Sequence, residues 1–218
     1  MVAEEAAEPR TPRAYLPAAE RRKSIIAAAQ EVFTQSNLKG ARTRDIARAA
    51  SVNQATIFEH FESKDALFQA AVVQPLIDAM RGMQARREAY ESATSPDELA
   101  ALAQESAARH VEDMVDIFPL FTAALFSDPD LGRTLYREHI APLLRRRGGI
   151  LEGLVRDGLD LDFVGLANFG ITFAIALDRH FGEQGEGKRT DLRKMAKQFA
   201  RMSTGGFARG RTKTKLQD

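Results

Sequence analysis

Residues 44–67 read RDIARAASVNQATIFEHFESKDAL, and this stretch decides the fold of the N-terminal part of the chain. It contains two short apolar runs rich in alanine, which the turn-like ASVN separates at residues 50–53. Isolated helices below about 12–15 residues are only marginally stable in water. The stretch therefore predicts two short helices, at roughly 43–50 and 54–61, that depend on packing against a further element.

The preceding segment RRKSIIAAAQEVFTQSN, residues 21–37, supplies that element. Its apolar residues recur with the spacing of an amphipathic helix. Asn37 ends the segment, and asparagine tolerates the left-handed backbone that is common at helix ends. We expect this helix and the two short ones to enclose one small core, formed by Ile25, Ile26, Ala29, Phe33, Ile46, Ala47, Ala50, Val52, Ile57 and Phe61.

Two short helices joined by a turn of about four residues are typical of the helix-turn-helix, in which the second helix enters the major groove of DNA. Side chains that do not face the core then point outward, where they can meet base edges or phosphates. Glutamine can read adenine, glutamate can accept from cytosine, and an aromatic edge can contact the thymine methyl group. The candidate DNA-binding residues are Arg42, Thr43, Arg44, Asn53, Gln54, Ala55, Thr56, Phe58, Glu59, His60 and Lys64.

Three of these candidates have competing interpretations. Lys64 lies in the first turn of a fourth predicted helix, where a positive charge opposes the helix dipole unless lysine and dipole together hold a phosphate. Phe58 can face either the DNA or the core on helical spacing alone. Glu59 repels phosphate and contacts DNA only where a cytosine amine meets it.

The distribution of charge favours a nucleic-acid partner for the N-terminal quarter. The whole chain carries a net charge of +1, but residues 10–64 contain ten Lys or Arg and five Asp or Glu, a net of +5. The remaining residues therefore carry +1 minus 5, or −4. A basic module on an acidic body is the expected electrostatic footprint of a DNA-binding domain, although a solvated basic helix face would give the same numbers.

The segments RRKSIIAAAQEVF (21–33) and RDIARAASVNQATIFEHFESKDALF (44–68) resemble the N-terminal domain of the TetR family of bacterial transcription regulators. The resemblance covers about residues 21–68. Three positions depart from the family pattern: Ser51 replaces a turn glycine, Asn53 a capping serine and Phe58 a tyrosine. The residues in step with the pattern are Asp45, Ile46, Ala47, Ala50, Val52, Thr56, His60, Phe61, Lys64 and Leu67.

The resemblance implies a ligand-responsive DNA-binding regulator and, by the family's usual mode, a repressor. It further implies a homodimer that binds a palindromic double-stranded DNA operator and is released by a small, largely apolar effector. The absence of cysteine favours a cytoplasmic location. The phenylalanine at position 58 lacks a hydroxyl that commonly touches phosphate in relatives. Affinity then depends more on His60, Lys64 and the arginines, including Arg10 and Arg13.

The rest of the chain shows helical periodicity and no strand-like alternation, which predicts an all-α fold with a three-helix head joined by a long helix to a larger helical body. The predicted divisions are a flexible arm (1–17), a helix-turn-helix domain (18–66), an effector-binding and dimerisation domain (67–205) and a flexible basic tail (206–218). The further predicted helices lie at about 64–90, 96–116, 119–127, 130–157, 161–181 and 189–203.

The apolar run FVGLANFGITFAIAL (163–177) has 15 residues, fewer than the roughly 20 of a membrane-spanning helix, so no membrane partner is expected. A helix apolar on most sides needs cover from the subunit core and from a second copy. Its small residues suggest a dimer face at Gly165, Gly170 and Ala174. The candidate effector-pocket residues, for each of which a plain core role is the competing interpretation, are His110, Phe118, Phe121, Thr122, His139, Asn168, Phe169 and Phe173.

An enzyme is not expected, because the sequence has no cysteine nucleophile and no glycine-rich phosphate loop. The pair His110 and Asp113 has helical metal-ligand spacing, but two ligands are too few to predict a metal site, and no cofactor is expected. Two alternatives to a regulator remain: a non-specific DNA-binding protein, and a small-molecule binder with a vestigial head. For a regulator, Pro75 in the fourth helix suggests a flex point in the only predicted link between head and body.

Overall fold

The computed structural model of the chain describes most of its length, namely residues 17–87, 94–150, 157–183 and 191–203. Regular structure within these ranges is helical throughout, which confirms the all-α prediction. Residues 1–16 of the predicted arm, with Arg10 and Arg13, and all of the predicted tail lie outside the described residues.

Ten α-helices follow one another along the described chain: α1 (Ala18–Gly40), α2 (Thr43–Ala49), α3 (Gln54–His60), α4 (Lys64–Phe68), α5 (Gln74–Arg87), α6 (Pro96–Phe126), α7 (Pro129–Leu135), α8 (Ala141–Ile150), α9 (Leu161–Phe181) and α10 (Leu192–Met202). Two π-helical segments join neighbouring helices, Gln69–Val73 between α4 and α5 and Tyr136–Ile140 between α7 and α8.

The turn between α2 and α3 shows how a serine replaces the expected glycine. Ser51 has a φ of +55°, the left-handed backbone for which glycine is normally selected. Asn53 then starts α3, and its side-chain oxygen accepts a hydrogen bond from the backbone N–H of Thr56 at 2.7 Å. The chain therefore makes the glycine-type turn without glycine and accepts local strain at Ser51.

The predicted core of the three-helix head is present. Ile25, Ala29, Phe33, Ile46 and Ile57 are almost fully buried, whereas Ile26, Ala50 and Val52 are only partly buried against the same cluster. This core does not end at the head. It continues through α4, α5 and α6 as one buried cluster, in which the rings of Phe33 and Phe68 meet edge to face at 5.0 Å.

Pro75 lies in the predicted fourth helix, where the structure has a π-helical segment followed by α5. Proline has no N–H and its ring crowds the carbonyl four residues back. The residue before it, Gln74, donates instead to the carbonyl of Gln69, five residues back. Ala141 does the same with Tyr136 directly before Pro142. Both helices thus accommodate a proline by widening for one turn.

Helix α6 corrects the prediction of two helices at 96–116 and 119–127, because it runs unbroken from Pro96 to Phe126 with Pro119 inside. Pro119 cannot donate to the carbonyl of Val115, four residues back. The ring of His180 in α9 lies against that oxygen, with Nε2 3.0 Å from it, and stacks on Phe118 at 5.0 Å. Since a carbonyl only accepts, Nε2 must be the donor.

Helix α9 has the bounds that the sequence predicted, Leu161–Phe181. By length and composition alone its 21 residues would suffice to cross a membrane, a property that core helices share. One side packs against α6 and α8, where Val164, Thr172 and Ala176 are buried. Only 22% of its most apolar window is buried within the chain, so much of an apolar helix lies uncovered.

Replacing Ser51 by glycine is expected to stabilise the fold. The left-handed conformation costs a residue with a β-carbon about 1–2 kcal/mol, while glycine adds about 0.5–1 kcal/mol of entropy to the unfolded chain. The free energy of unfolding in urea should therefore rise by about 0.5–1 kcal/mol. Ser24→Gly, within the regular part of α1, should lower it, and stabilisation by both changes would contradict the strain at Ser51.

A double-mutant cycle is expected to show that His180 compensates for Pro119. His180→Ala leaves the carbonyl of Val115 without its donor and should lower the free energy of unfolding by about 1 kcal/mol beyond the lost stacking on Phe118. In a Pro119→Ala background the helix can supply the missing N–H, so that only the stacking loss remains. Equal losses in the two backgrounds, measured by urea denaturation, would rule out this compensation.

Candidate nucleic-acid interface and effector site

The outer face of α3 carries the side chains expected to read DNA. Gln54, Ala55, Phe58 and Glu59 are all exposed on this short helix. Phe58 is 52% exposed, which decides between its two interpretations: the ring faces solvent and not the core. A large aromatic side chain is therefore presented next to groups that can form hydrogen bonds.

Thr56 is a correction to the predicted interface. Only 8% of the residue is exposed, and its hydroxyl donates to Asn53 Oδ1 at 3.0 Å. The same Asn53 oxygen caps the helix through the backbone N–H of Thr56. Thr56 thus points into the head and holds the start of α3, so that it is not available to phosphate.

The residues that flank α3 form a rim with several positive charges. Arg42 and Arg44 are exposed at the start of α2, and Thr43 and His60 are half-buried. The nearest acid to the Arg44 guanidinium is Asp45, at 3.9 Å, a long and exposed pair of little energetic weight. The arginines therefore remain suited to pair with phosphate.

Lys64 has a structural partner that the sequence did not indicate. Its ammonium group donates to the backbone carbonyl of Ala41 at 3.3 Å, and the side chain is half-buried. Ser63 caps α4 by accepting from the N–H of Ala66. Lys64 thus ties the start of α4 to the segment between α1 and α2, and this contact occupies one of its three N–H donors.

Arg22 was missed by the sequence interpretation. Its guanidinium lies 4.7 Å from the centre of the Phe61 ring, a cation–π arrangement at the end of α3. The residue is exposed. It adds a further positive charge to the head from α1, and only the folding of α1 against α3 brings it there.

In the body, four of the predicted pocket residues come together in an aromatic cluster between α6 and α9. The ring centres of Phe118 and Phe173 are 5.3 Å apart, and those of Phe121 and Phe169 are 5.7 Å apart. Phe118 and Phe121 are buried, whereas Phe169 and Phe173 are half-buried. The half-buried rings form the accessible side of the cluster.

The other predicted pocket residues lie elsewhere or have their polar atoms engaged. His110 stacks on Phe199 of α10 at 5.8 Å, in a separate apolar cluster. The hydroxyl of Thr122 donates to backbone carbonyls of its own helix. Asn168 accepts from the hydroxyl of Ser203 at 2.9 Å. His139, half-buried, belongs to the π-helical segment before α8.

His180 and Phe181 extend the aromatic cluster and were missed. Phe118 contacts both of them, with ring distances of 5.0 Å and 6.0 Å. They follow Phe173 by seven and eight residues, the spacing that returns a side chain to the same helix face. Helical periodicity continued past Leu177 would have included them.

The uncovered side of α9 presents a continuous apolar stripe. Gly170 and Ala174 of the predicted dimer face lie on it and are exposed, but Gly165 is buried within the chain and does not belong to it. The stripe also contains four large residues that were not predicted, namely Phe163, Leu166, Leu177 and Phe181. Steps of three and four residues place these positions on one side of the helix.

Comparison with known proteins finds relatives of the N-terminal head. Residues 25–71 match the family model described as bacterial regulatory proteins, tetR family. The HTH-type transcriptional regulator UidR of Escherichia coli (strain K12) is 33% identical over 70 residues, which are 32% of this chain and 34% of that protein. The chain thus spans about a third of the length of the curated relative that it matches.

Solved structures extend the likeness to the body. SCO3833, a TetR-family member from Streptomyces coelicolor A3, is 20% identical with a TM-score of 0.60, and the match covers 85% of this chain and 91% of that chain. FadR from Bacillus subtilis, solved in complex with stearoyl-CoA, is 18% identical with a TM-score of 0.59, and the match covers 84% and 98%. At these identities the likeness establishes the fold alone.

The head thus contains, over residues 25–71, the DNA-binding domain of the tetR family of bacterial regulatory proteins, and the chain shares the fold of solved TetR-family structures.

Proposed function

We propose that this protein represses transcription as a homodimer that binds a palindromic DNA operator and is released by a small, largely apolar effector. The observation that carries the proposal is the outer face of α3, where Phe58 is exposed between groups that can read bases. About half of Phe58 is exposed to water, and the edge of such a ring suits the methyl group of thymine.

Phosphate contacts are assigned to the rim of the head. Arg42 and Arg44 precede α3 and are exposed, and Arg22 stands beside its end. Arginine pairs with phosphate through two parallel hydrogen bonds, so that these residues can fix the register of α3 on the duplex. One head makes few such contacts, and a dimer doubles them.

The apolar stripe on α9 is assigned to the second copy of the chain. Gly170 and Ala174 lie near its middle, and no atom lies within 4 Å of a β-carbon built at Gly170. Larger residues, Phe163 and Phe181, stand near the two ends. Small residues between large ones allow two identical helices to cross closely, as a two-fold dimer requires. Two heads would then read half-sites about 34–36 Å apart, or a multiple of that.

The effector is assigned to the aromatic cluster between α6 and α9. Phe169 and Phe173 offer half-buried apolar surface, and His180 Nε2 is engaged by the carbonyl of Val115. The cluster thus selects for apolar or aromatic surface with little polar recognition. Ligand binding by a protein of this fold is supported by FadR from Bacillus subtilis, which was solved in complex with stearoyl-CoA. As a DNA-binding regulator, the protein is assigned to the cytoplasm.

A titration on DNA tests the regulatory function. The protein is added to labelled DNA from the region upstream of its own coding sequence and to a scrambled duplex of equal length, at several salt concentrations. A repressor should prefer one upstream fragment by about 10³-fold or more, with affinity falling steeply as salt rises. Equal affinity for both duplexes would indicate non-specific binding, and no binding to either would indicate a vestigial head.

Phe58→Ala is expected to weaken binding to the preferred fragment about tenfold or more, because a specific base contact is worth about 1–3 kcal/mol. Its fluorescence anisotropy titration should be compared with that of Tyr136→Ala, which removes another exposed aromatic residue far along the chain from the head. Phe58→Tyr, which adds a hydroxyl near the phosphates, should bind at least as tightly as the natural protein. Unchanged affinity in Phe58→Ala would remove this ring from the interface.

Leu166→Arg is expected to convert the dimer to a monomer of 24.1 kDa, because it places a charge in the apolar stripe on α9. Leu166 is 53% exposed in the single chain, so that the substitution should leave the fold of the protomer intact. Sedimentation velocity gives the mass and circular dichroism the helicity. Lys194→Glu, at an exposed position of α10, is the charge-changing control, and a persistent dimer in Leu166→Arg would place the interface elsewhere.

A further inference from the structure

The end of α1 leaves the helical path before it reaches the reading head. Asn37 has a positive φ of +55°, but its ψ of −179° differs from the left-handed helical conformation expected at a helix end. Its side-chain oxygen accepts from the N–H groups of Lys39 and Gly40, each at 3.0 Å. Ala41 N–H donates to the carbonyl of Asn37. The last residues of α1 thus form a separate, internally bonded turn that projects from the regular helix.

Two contacts join this turn to the junction between α6 and α7. The backbone N–H of Leu38 donates to the Ser127 hydroxyl oxygen at 3.0 Å, and Lys39 Nζ lies 3.1 Å from Asp128 Oδ2. They link positions 89 residues apart in sequence. The first is shielded, since Ser127 is buried, whereas the second is largely exposed at its lysine.

Local hydrogen bonds hold the junction between α6 and α7. The hydroxyl of Ser127 donates to the carbonyl of Ala123, one turn back in α6. Asp128 caps α7 by accepting from the N–H groups of Asp130 and Leu131, at 3.0 and 3.2 Å. The hydrogen bonds from Leu131 and Lys39 lower the pKa of Asp128 below its ordinary value, so its carboxylate is ionised at neutral pH.

Gly132 allows α7 to pack closely against the end of α6. A β-carbon at that position would lie 2.2 Å from the carbonyl oxygen of Leu125, so that only glycine allows α7 to fold back this closely on α6. The junction therefore moves together with the end of α6. Phe118 and Phe121, which belong to the aromatic cluster assigned to the effector, lie in α6 about two and a half turns or less before its cap Ser127.

On the other side the turn leads directly into the reading head. Ala41 follows it and is buried, and its carbonyl accepts from Lys64 at the start of α4. Arg42 and Thr43 then begin α2. A displacement of residues 37–40 cannot be absorbed by a loop, because only two residues separate α1 from α2.

We propose that Leu38, Lys39, Ser127 and Asp128 form a joint through which the end of α6 sets the position of the reading head. The inference rests on the proposed function, since the movement to be transmitted is that of α6 when an effector enters the aromatic cluster. It also corrects the expectation that the fourth helix, with Pro75, is the only link between head and body. The continuous helix of α4 and α5 is one link, and this joint is a second.

Variants at the joint separate it from the general stability of the chain. Asp128→Asn keeps a capping oxygen for α7 but removes the charge that meets Lys39. Asp130→Asn is the matched control. It removes a carboxylate from the same first turn of α7, but the ion-pair partner of Asp130 is Arg133, which lies in α7 itself and not in α1. Ser127→Ala removes the acceptor of Leu38 N–H and leaves that donor unpaired.

The first measurement is hydrogen exchange of the full-length protein without DNA. Amides of α2 and α3 should exchange roughly five- to tenfold faster in Ser127→Ala and about two- to fivefold faster in Asp128→Asn, whereas those of α9 should not change. Asp130→Asn should match the natural protein throughout. Unchanged exchange in α2 and α3 for both joint variants would overturn the joint, whether or not the protein binds DNA.

The second measurement adds the preferred upstream DNA fragment, because coupling between two sites is reciprocal. In the natural protein and in Asp130→Asn, DNA should slow exchange over residues 118–131. In Ser127→Ala and Asp128→Asn this remote protection should disappear while α3 is still protected. Remote protection that persists in both joint variants would refute transmission through the joint. Absence of any protection of α3 would contradict the proposed DNA binding and leave the first measurement to decide on the joint.

Discussion

The described structure depends on one constraint, which is that α6 must pack against several other helices although it contains a proline. Helix α6 packs against α1, α5, α7, α9 and α10. A kink at Pro119 would disturb all of these contacts, and an unpaired carbonyl at Val115 would cost about 1–3 kcal/mol. His180 meets that carbonyl and stacks on Phe118. The same side chain that meets the carbonyl of Val115 therefore also fixes α9 against α6.

The two other prolines inside helical segments are accommodated in another way, and the difference explains where the chain is rigid. Pro75 and Pro142 each follow a π-helical segment in which the backbone alone pairs the displaced groups. Pro119 has no such segment and depends on a side chain 65 positions from Val115. Local widening keeps two helices independent of distant residues, whereas α6 is tied to α9, so that the aromatic cluster forms at a fixed spacing.

The sequence was informative wherever the deciding interactions are local. Periodicity and caps located α1, α2, α3 and α9, and the sequence of residues 44–67 identified the helix-turn-helix, because neighbouring residues determine these features. The predicted division into helices at 96–116 and 119–127 was wrong, because the group that compensates for Pro119 is distant in sequence.

Whether the position of a site residue could be predicted also depends on whether local or distant contacts determine it. Thr56 was assigned to the outer face of α3 by position, but the cap at Asn53 turns its hydroxyl inward. Phe58 could not be placed, because both faces of so short a helix allow an apolar residue. The exposed stripe of α9 was in contrast readable from spacing, since Phe163, Leu166, Leu177 and Phe181 repeat with helical periods. The predicted dimer face was instead chosen from small residues, and it therefore included Gly165, which is buried within the chain.

The contacts in the joint between α1 and the α6–α7 junction are weak enough to be broken in a conformational change. The Lys39–Asp128 pair is partly exposed, and such pairs contribute about 0–1 kcal/mol. The hydrogen bond of Leu38 adds about 1 kcal/mol. A ligand must favour one state by about 5.5 kcal/mol to move an equilibrium from 1:99 to 99:1. Each contact in the joint lies well below that figure. Differential binding at an aromatic cluster can therefore break or remake the joint without unfolding the core that head and body share.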